Sequence, residues 1–143
     1  VFPIVMLVGM FAWWLFRRLE RNVDLLEAAL IDFGLQGPMV WLLAVYFCVC
    51  NPAFEEGFWR GLQATSSRII SFSDMAYGAF HTLIVLPFLT LTEAAVVAGF
   101  LVIMGYIWRQ ITIATGGQRI AVIWHALGDI AVIGVVAFVA ATR

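Results

Sequence analysis

The chain has 143 residues, 64% of them hydrophobic and only 12% charged, with a mean hydropathy of +1.00. Soluble domains average about 45–50% apolar and about 25% charged residues, and a soluble fold of this length has too little interior to hide the excess. Eight arginines and no lysine stand against nine acids for a net charge of -1, which leaves no basic patch for nucleic acid and no charged tail. The same figures exclude a disordered chain, a collagen-like repeat and a disulfide scaffold. Cys48 and Cys50, two apart in an apolar run, read as small packing residues. The composition is that of an integral, multi-pass membrane protein whose first partner is the lipid bilayer.

Each crossing of the hydrocarbon takes about 20 apolar helical residues, so a chain of this length has a ceiling of about seven. It begins at Val1 inside an apolar run, with no initiator Met and no basic leader, and is therefore expected to be a trimmed piece of a longer protein. Val1 to Phe16 reads as the first span, closed by an aromatic and cationic anchor of Trp13, Trp14, Arg17 and Arg18. Over residues 17–36, Leu19, Val23, Leu26, Leu30 and Phe33 recur at helical spacing opposite Glu20, Asp24 and Glu27, and Gly34 can end the run. This predicts an amphipathic helix at the membrane interface.

A second span is expected from Met39 to about Phe54, after Gly37-Pro38. Pro52 lacks the N–H that would bond the Cys48 carbonyl, so it should bend that helix near its end. The polar stretch Glu55 to Ser73 follows as a connection. A third span starts near Asp74, read as its N-cap, and ends around Pro87. Thr90-Leu91-Thr92-Glu93 has the form of a capping box and opens a fourth span that ends at Tyr106, Trp108 and Arg109, read as an interface anchor. A loop from Gln110 to Arg119 holds Gly116-Gly117 and a short strand-like alternation at Gln110–Ala114. A fifth span then runs from Ile120 to about Ala140. The expected fold is all-α: a polytopic bundle of about five transmembrane helices plus one amphipathic interfacial helix, forming a single membrane-embedded domain over residues 1–143. Arg17, Arg18, Arg21 and Arg143 fall on one side and Arg60, Arg68, Arg109 and Arg119 on the other, so the positive-inside rule gives no orientation.

Ionisable residues at membrane depth are costly and generally face a cavity or another helix. Glu55, Glu56, His81, His125 and Asp129 are the candidates. Glu55 stands at the exit of the second span. His81 follows Asp74 by seven residues and His125 follows Ile120 by five, which places them about 10 Å and about 8 Å in from the same side. Three separate segments thus bring an acid and two bases to one layer. Glu56 and Arg60 are four apart, as are Tyr77 and His81, and His125 and Asp129. Successive helical residues turn by about 100°, so Glu56 can pair with Arg60 while Glu55 faces a different way.

A carboxylate in a poorly hydrated pocket is a better base, and with a histidine it can take a proton from water and return it to a leaving amine. A second histidine with a polar neighbour can stabilise the oxyanion of a tetrahedral intermediate. Glu55, His81 and His125 are also the ligand types of a catalytic zinc site, although no H-E-x-x-H motif is present; the expectation is a site without metal or other cofactor. The bland readings are a Glu56–Arg60 ion pair closing a helix end, histidines packed against carbonyls, and Glu93 as a capping residue.

Glu55-Glu56-Gly57-Phe58-Trp59-Arg60 matches E-E-x-x-x-R, Tyr77-Gly78-Ala79-Phe80-His81 is close to F-x-x-x-H, and His125-Ala126-Leu127-Gly128-Asp129 matches H-x-x-x-N/D. In this order on successive helices, over residues 38 to 140, the chain resembles the CPBP family, the type II CAAX prenyl endopeptidases and the bacteriocin-processing or immunity ("Abi") proteins. The resemblance implies an intramembrane endopeptidase acting on a peptide or protein substrate, in some members a lipidated one. It implies Glu55 as base with His81 activating the water, Glu56 and Arg60 as an orienting pair, and His125 with residue 129 as the oxyanion site. Two positions depart from the pattern. Tyr77 stands for Phe, and Asp129 stands where CAAX endopeptidases carry Asn, so that it either donates as the protonated acid or orients His125. The alternative expectation is a non-catalytic membrane scaffold or immunity protein with the same fold.

Overall fold

The structure is a computed structural model that describes residues 2–35, 37–63 and 65–141; Val1 and Arg143, which enter the readings above, lie outside them. The described residues are helical and contain no strand. In chain order they form α1 (Phe2–Leu19), a 3₁₀ turn (Glu20–Asn22), α2 (Val23–Asp32), α3 (Pro38–Leu62), α4 (Phe72–Val85), a 3₁₀ turn (Leu86–Phe88), α5 (Leu91–Thr115) and α6 (Arg119–Ala141). Two of these, α3 and α5, each of 25 residues, are long and apolar enough to cross a membrane. The chain divides into two compact units, Val1–Asn51 with Ala126–Arg143, and Pro52–His125.

In the first unit, α1 continues to Leu19, and the expected single amphipathic helix is broken by the turn at Glu20–Asn22 before α2 begins. Gly34 does end α2: its φ is +70°, and the Leu35 N–H closes back on the Leu30 carbonyl at 2.8 Å. Val40, Ala44 and Ala137 form a small core here, with Leu35 and Ile133 against it.

Helix α3 does not stop at Phe54. Its central turn, Tyr46–Cys50, widens to π geometry, with the Asn51 N–H reaching five residues back to the Tyr46 carbonyl. The wider turn accommodates Pro52, so the helix passes the proline and runs on through Glu55 and Glu56. A second π turn, Gly57–Leu62, carries Arg60 and ends with the Gln63 N–H on the Phe58 carbonyl at 2.9 Å. The stretch expected to be a connection is thus helical for its first eight residues, because Pro52 costs one backbone bond that the π turn re-routes.

Within the second unit, the cap of α4 is Ser71 rather than Asp74. Asp74 is the third helical residue and reaches back to the Ser71 N–H at 2.8 Å, so the helix starts three residues earlier than a cap at Asp74 implies. Thr90 and Glu93 form the expected capping box on α5, the Thr90 N–H donating to Glu93 at 3.0 Å. That helix continues past Arg109 to Thr115 and ends on Gly116 at φ +67°, so the strand-like alternation at Gln110–Ala114 is helical and the loop shrinks to Gly116–Gln118. Helices α4 and α5 pack closely through Gly78 and Gly105, where a methyl group would meet Val102 and Tyr77 respectively. Trp108, expected to be an interface anchor, is buried at 3% exposure.

Candidate active site

Six of the seven residues singled out above gather inside the second unit. Glu55 and Glu56 come from α3, Arg60 from its terminal π turn, Tyr77 and His81 from α4, and His125 from the first turns of α6. The seventh, Asp129, follows His125 by one turn along α6 and belongs to the other unit.

Glu56 is fully buried. Its Oε1 lies 3.2 Å from the Arg60 guanidinium and 2.8 Å from His125 Nδ1. Burying a carboxylate without a partner is prohibitive, and the arginine supplies the charge while the imidazole N–H supplies the hydrogen bond. Arg60 is held in turn: it donates to the Gly105 carbonyl at 3.2 Å and its guanidinium carbon sits 4.4 Å over the Tyr77 ring. Gly105 permits this approach, since a Cβ there would lie 3.1 Å from the Tyr77 ring and 3.5 Å from Arg60.

Glu55, one residue earlier and therefore on another face, presents Oε2 to both histidines, 2.8 Å from His81 Nε2 and 3.8 Å from His125 Nε2. His81 Nδ1 lies 2.8 Å from the Tyr77 carbonyl. A carbonyl only accepts, so Nδ1 carries a hydrogen and Nε2 is the nitrogen left to face Glu55. That Nε2 lies 2.8 Å from Glu55 Oε2, an ion-pair distance when the ring is protonated. Tyr77 backs both rings, with centroids 4.2 Å from His81 and 6.1 Å from His125. His125 Nδ1 donates to the ionised Glu56, so its Nε2 becomes a second donor when the ring is protonated.

The arrangement offers a carboxylate flanked by two imidazoles, each ring oriented by a fixed second partner. One donor atom from each of Glu55, His81 and His125 lies within 4.8 Å of the other two. They are also the donors a zinc ion would take, with the Tyr77 carbonyl and Glu56 as the outer partners that orient zinc-bound histidines. Glu55 and His81, 2.8 Å apart, stand closer than the roughly 3.3 Å that separates ligands around a tetrahedral zinc with bonds of about 2.0 Å, so the two would part slightly to hold the ion.

Sequence spacing gives no sign of a second buried pair. Asp74 and Arg109, each 2% exposed, meet in a two-pronged ion pair, Nε to Oδ1 at 3.0 Å and a terminal nitrogen to Oδ2 at 2.6 Å. Arg109 also donates to the carbonyls of Ser67 and Ile69. These roles replace the cap expected of Asp74 and the interface anchor expected of Arg109. Thirty-five residues separate the two, and no local pattern relates positions so far apart. Set against known protein families, curated proteins and solved structures, the chain finds no match.

Proposed function

We propose that this chain is a multi-pass intramembrane endopeptidase of the CPBP kind that hydrolyses a peptide bond with a water activated by Glu55 and His81. The observation that carries the reading is the convergence of the Nε2 atoms of His81 and His125 on one Glu55 oxygen, at 2.8 and 3.8 Å, from three separate segments. Membrane residence has its own support. Only 17% of the apolar window of α3 and 28% of that of α5 is buried, whereas a core helix of a soluble protein would be mostly enclosed. With α1, α4 and α6 the bundle would make about five crossings, and α2, acidic on one side, lies along the interface.

In the proposed cycle, water adds to the carbonyl carbon of the scissile bond as Glu55 takes its proton, with His81 carrying the proton that it shares with Glu55. His125, held by Glu56 and protonated, donates from Nε2 to the oxyanion. The C–N bond then breaks, and the proton held on Glu55 passes to the leaving amine. Glu56 and Arg60 do not touch the substrate; they fix the orientation and charge of His125. Asp129 retains a polar role at the following turn of α6. A zinc ion, if bound, would be held by Glu55, His81 and His125 and would polarise the water in place of the shared proton.

The test is Glu55→Gln in proteoliposomes, read by cleavage of membrane-tethered peptides with and without a C-terminal lipid. The variant should lose at least about 10²-fold in rate while inserting and folding as before, the usual scale of a lost general base. Full retained cleavage would overturn the reading. Cleavage by the unaltered protein that survives a strong zinc chelator fits the shared-proton form, and loss on chelation restored by zinc fits the metal form.

A further inference from the structure

The segment joining α3 to α4 is irregular in backbone, and several of its polar groups are held by side chains. Three successive carbonyls, those of Ser67, Arg68 and Ile69, accept hydrogen bonds from side chains of α5. Gln110 Nε2 donates to Ser67 at 3.1 Å, the Tyr106 hydroxyl to Arg68 at 3.0 Å, and Arg109 to Ile69 at 2.8 Å and to Ser67. Arg109 is anchored by Asp74, so the segment is clipped to two helices at once. Carbonyls bathed in water need no such donors, because water satisfies them; carbonyls at membrane depth need donors from the protein.

The side chains of the same segment point the other way. Ile69, Ile70 and Phe72 are 76%, 49% and 80% exposed. Three large apolar groups on a pinned segment and the first residue of the helix after it would be a liability in water. The depth agrees. Helix α5 has 25 residues, about 37 Å, against a hydrocarbon thickness of about 30 Å, so a centred helix reaches only about 4 Å beyond it at each end. Tyr106, Arg109 and Gln110 lie five to nine residues before Thr115, and the carbonyls they hold therefore sit below the headgroups.

From these observations we propose that residues 69–72 form a lipid-embedded lip: their apolar side chains contact acyl chains, and the α5 clamp holds the carbonyls of residues 67–69 at the base of the lip, where the bilayer offers no donor. The occupant of the patch is the bilayer itself. The proposal rests on the membrane reading above and is independent of the catalytic one. Arg68, exposed at the head of the lip, has the reach to bring its guanidinium up to the phosphate level.

The experiment uses the whole chain in liposomes, with Cys48→Ala and Cys50→Ala, and nitroxide labels on Ile69→Cys, Ile70→Cys or Phe72→Cys. Collisions with oxygen, which partitions into lipid, are compared with collisions with a water-soluble nickel chelate. Ile103→Cys, on the exposed side of the middle of α5, is the reference. Labels at 69, 70 and 72 should lose chelate accessibility and favour oxygen as the label at 103 does. Chelate access at 70 and 72 with a lipid-buried 103 would overturn the lip and leave the membrane reading standing. Chelate access at 103 as well would overturn both. The three side chains lie outside the core, so labelling them leaves the packing intact.

Discussion

A methyl group at Gly78 would stand 2.6 Å from Val102 Cγ2 and 3.0 Å from the Ala98 carbonyl oxygen. The side chain has some room to move and the backbone has little, so Gly78→Ala must push α4 away from α5 and carry Tyr77 and His81 with it. The expected loss is about 1–3 kcal/mol of stability, the usual cost of overpacking, measured by denaturant titration in micelles. A methyl group added at Gly99, on the same helix pair, would meet nothing within 4 Å, and Gly99→Ala should be neutral or stabilising by up to about 1 kcal/mol through helix propensity. At this scale the candidate site was largely legible. Glu55, Glu56, Arg60, Tyr77, His81 and His125 stand out because ionisable groups in apolar runs are rare, and helical spacing already separated the faces of Glu55 and Glu56. The second partner of each histidine was not legible: Glu56 lies 69 residues from His125, and the Tyr77 carbonyl belongs to the backbone.

Among elements, the Asp74–Arg109 pair has the greatest reach, since it ties the start of α4, the segment before it and the latter part of α5 into one body. Asp74→Asn or Arg109→Leu strands a buried charge and should each cost about 3–5 kcal/mol, while the double variant should cost clearly less than the sum. Arg109→Lys should not rescue, because a lysine cannot reach Asp74 and two carbonyls with a planar fork. Additive losses in that cycle would show that the two residues do not act together. The elements themselves were readable wherever a local signal exists: the Thr90–Glu93 box and the Gly34 terminus stand as expected. Helix ends failed where a local signal had two readings. The Pro52 N–H deficit was absorbed by a π turn, Asp74 served as third residue rather than cap, and α5 ran on through an alternation that also fits a helix.

For the molecule as a whole, the proposed membrane residence predicts that the expressed chain stays in the membrane pellet after washing with alkaline carbonate and is released only by detergent. Release by carbonate alone would put the apolar surface to another use, such as association with further protein. Composition by itself determined the helical class and the excess of apolar surface, because hydropathy is a sum over residues and needs no coordinates. Periodicity located the helices, and the rarity of charge in apolar runs named the chemical groups. Tertiary structure alone decided which imidazole lies against Glu55, which carboxylate is committed to an arginine, and what holds the segment between α3 and α4. Those outcomes depend on distances of about 3 Å between residues tens of positions apart, set by how closely glycine lets two helices approach, and no one-dimensional pattern carries that information.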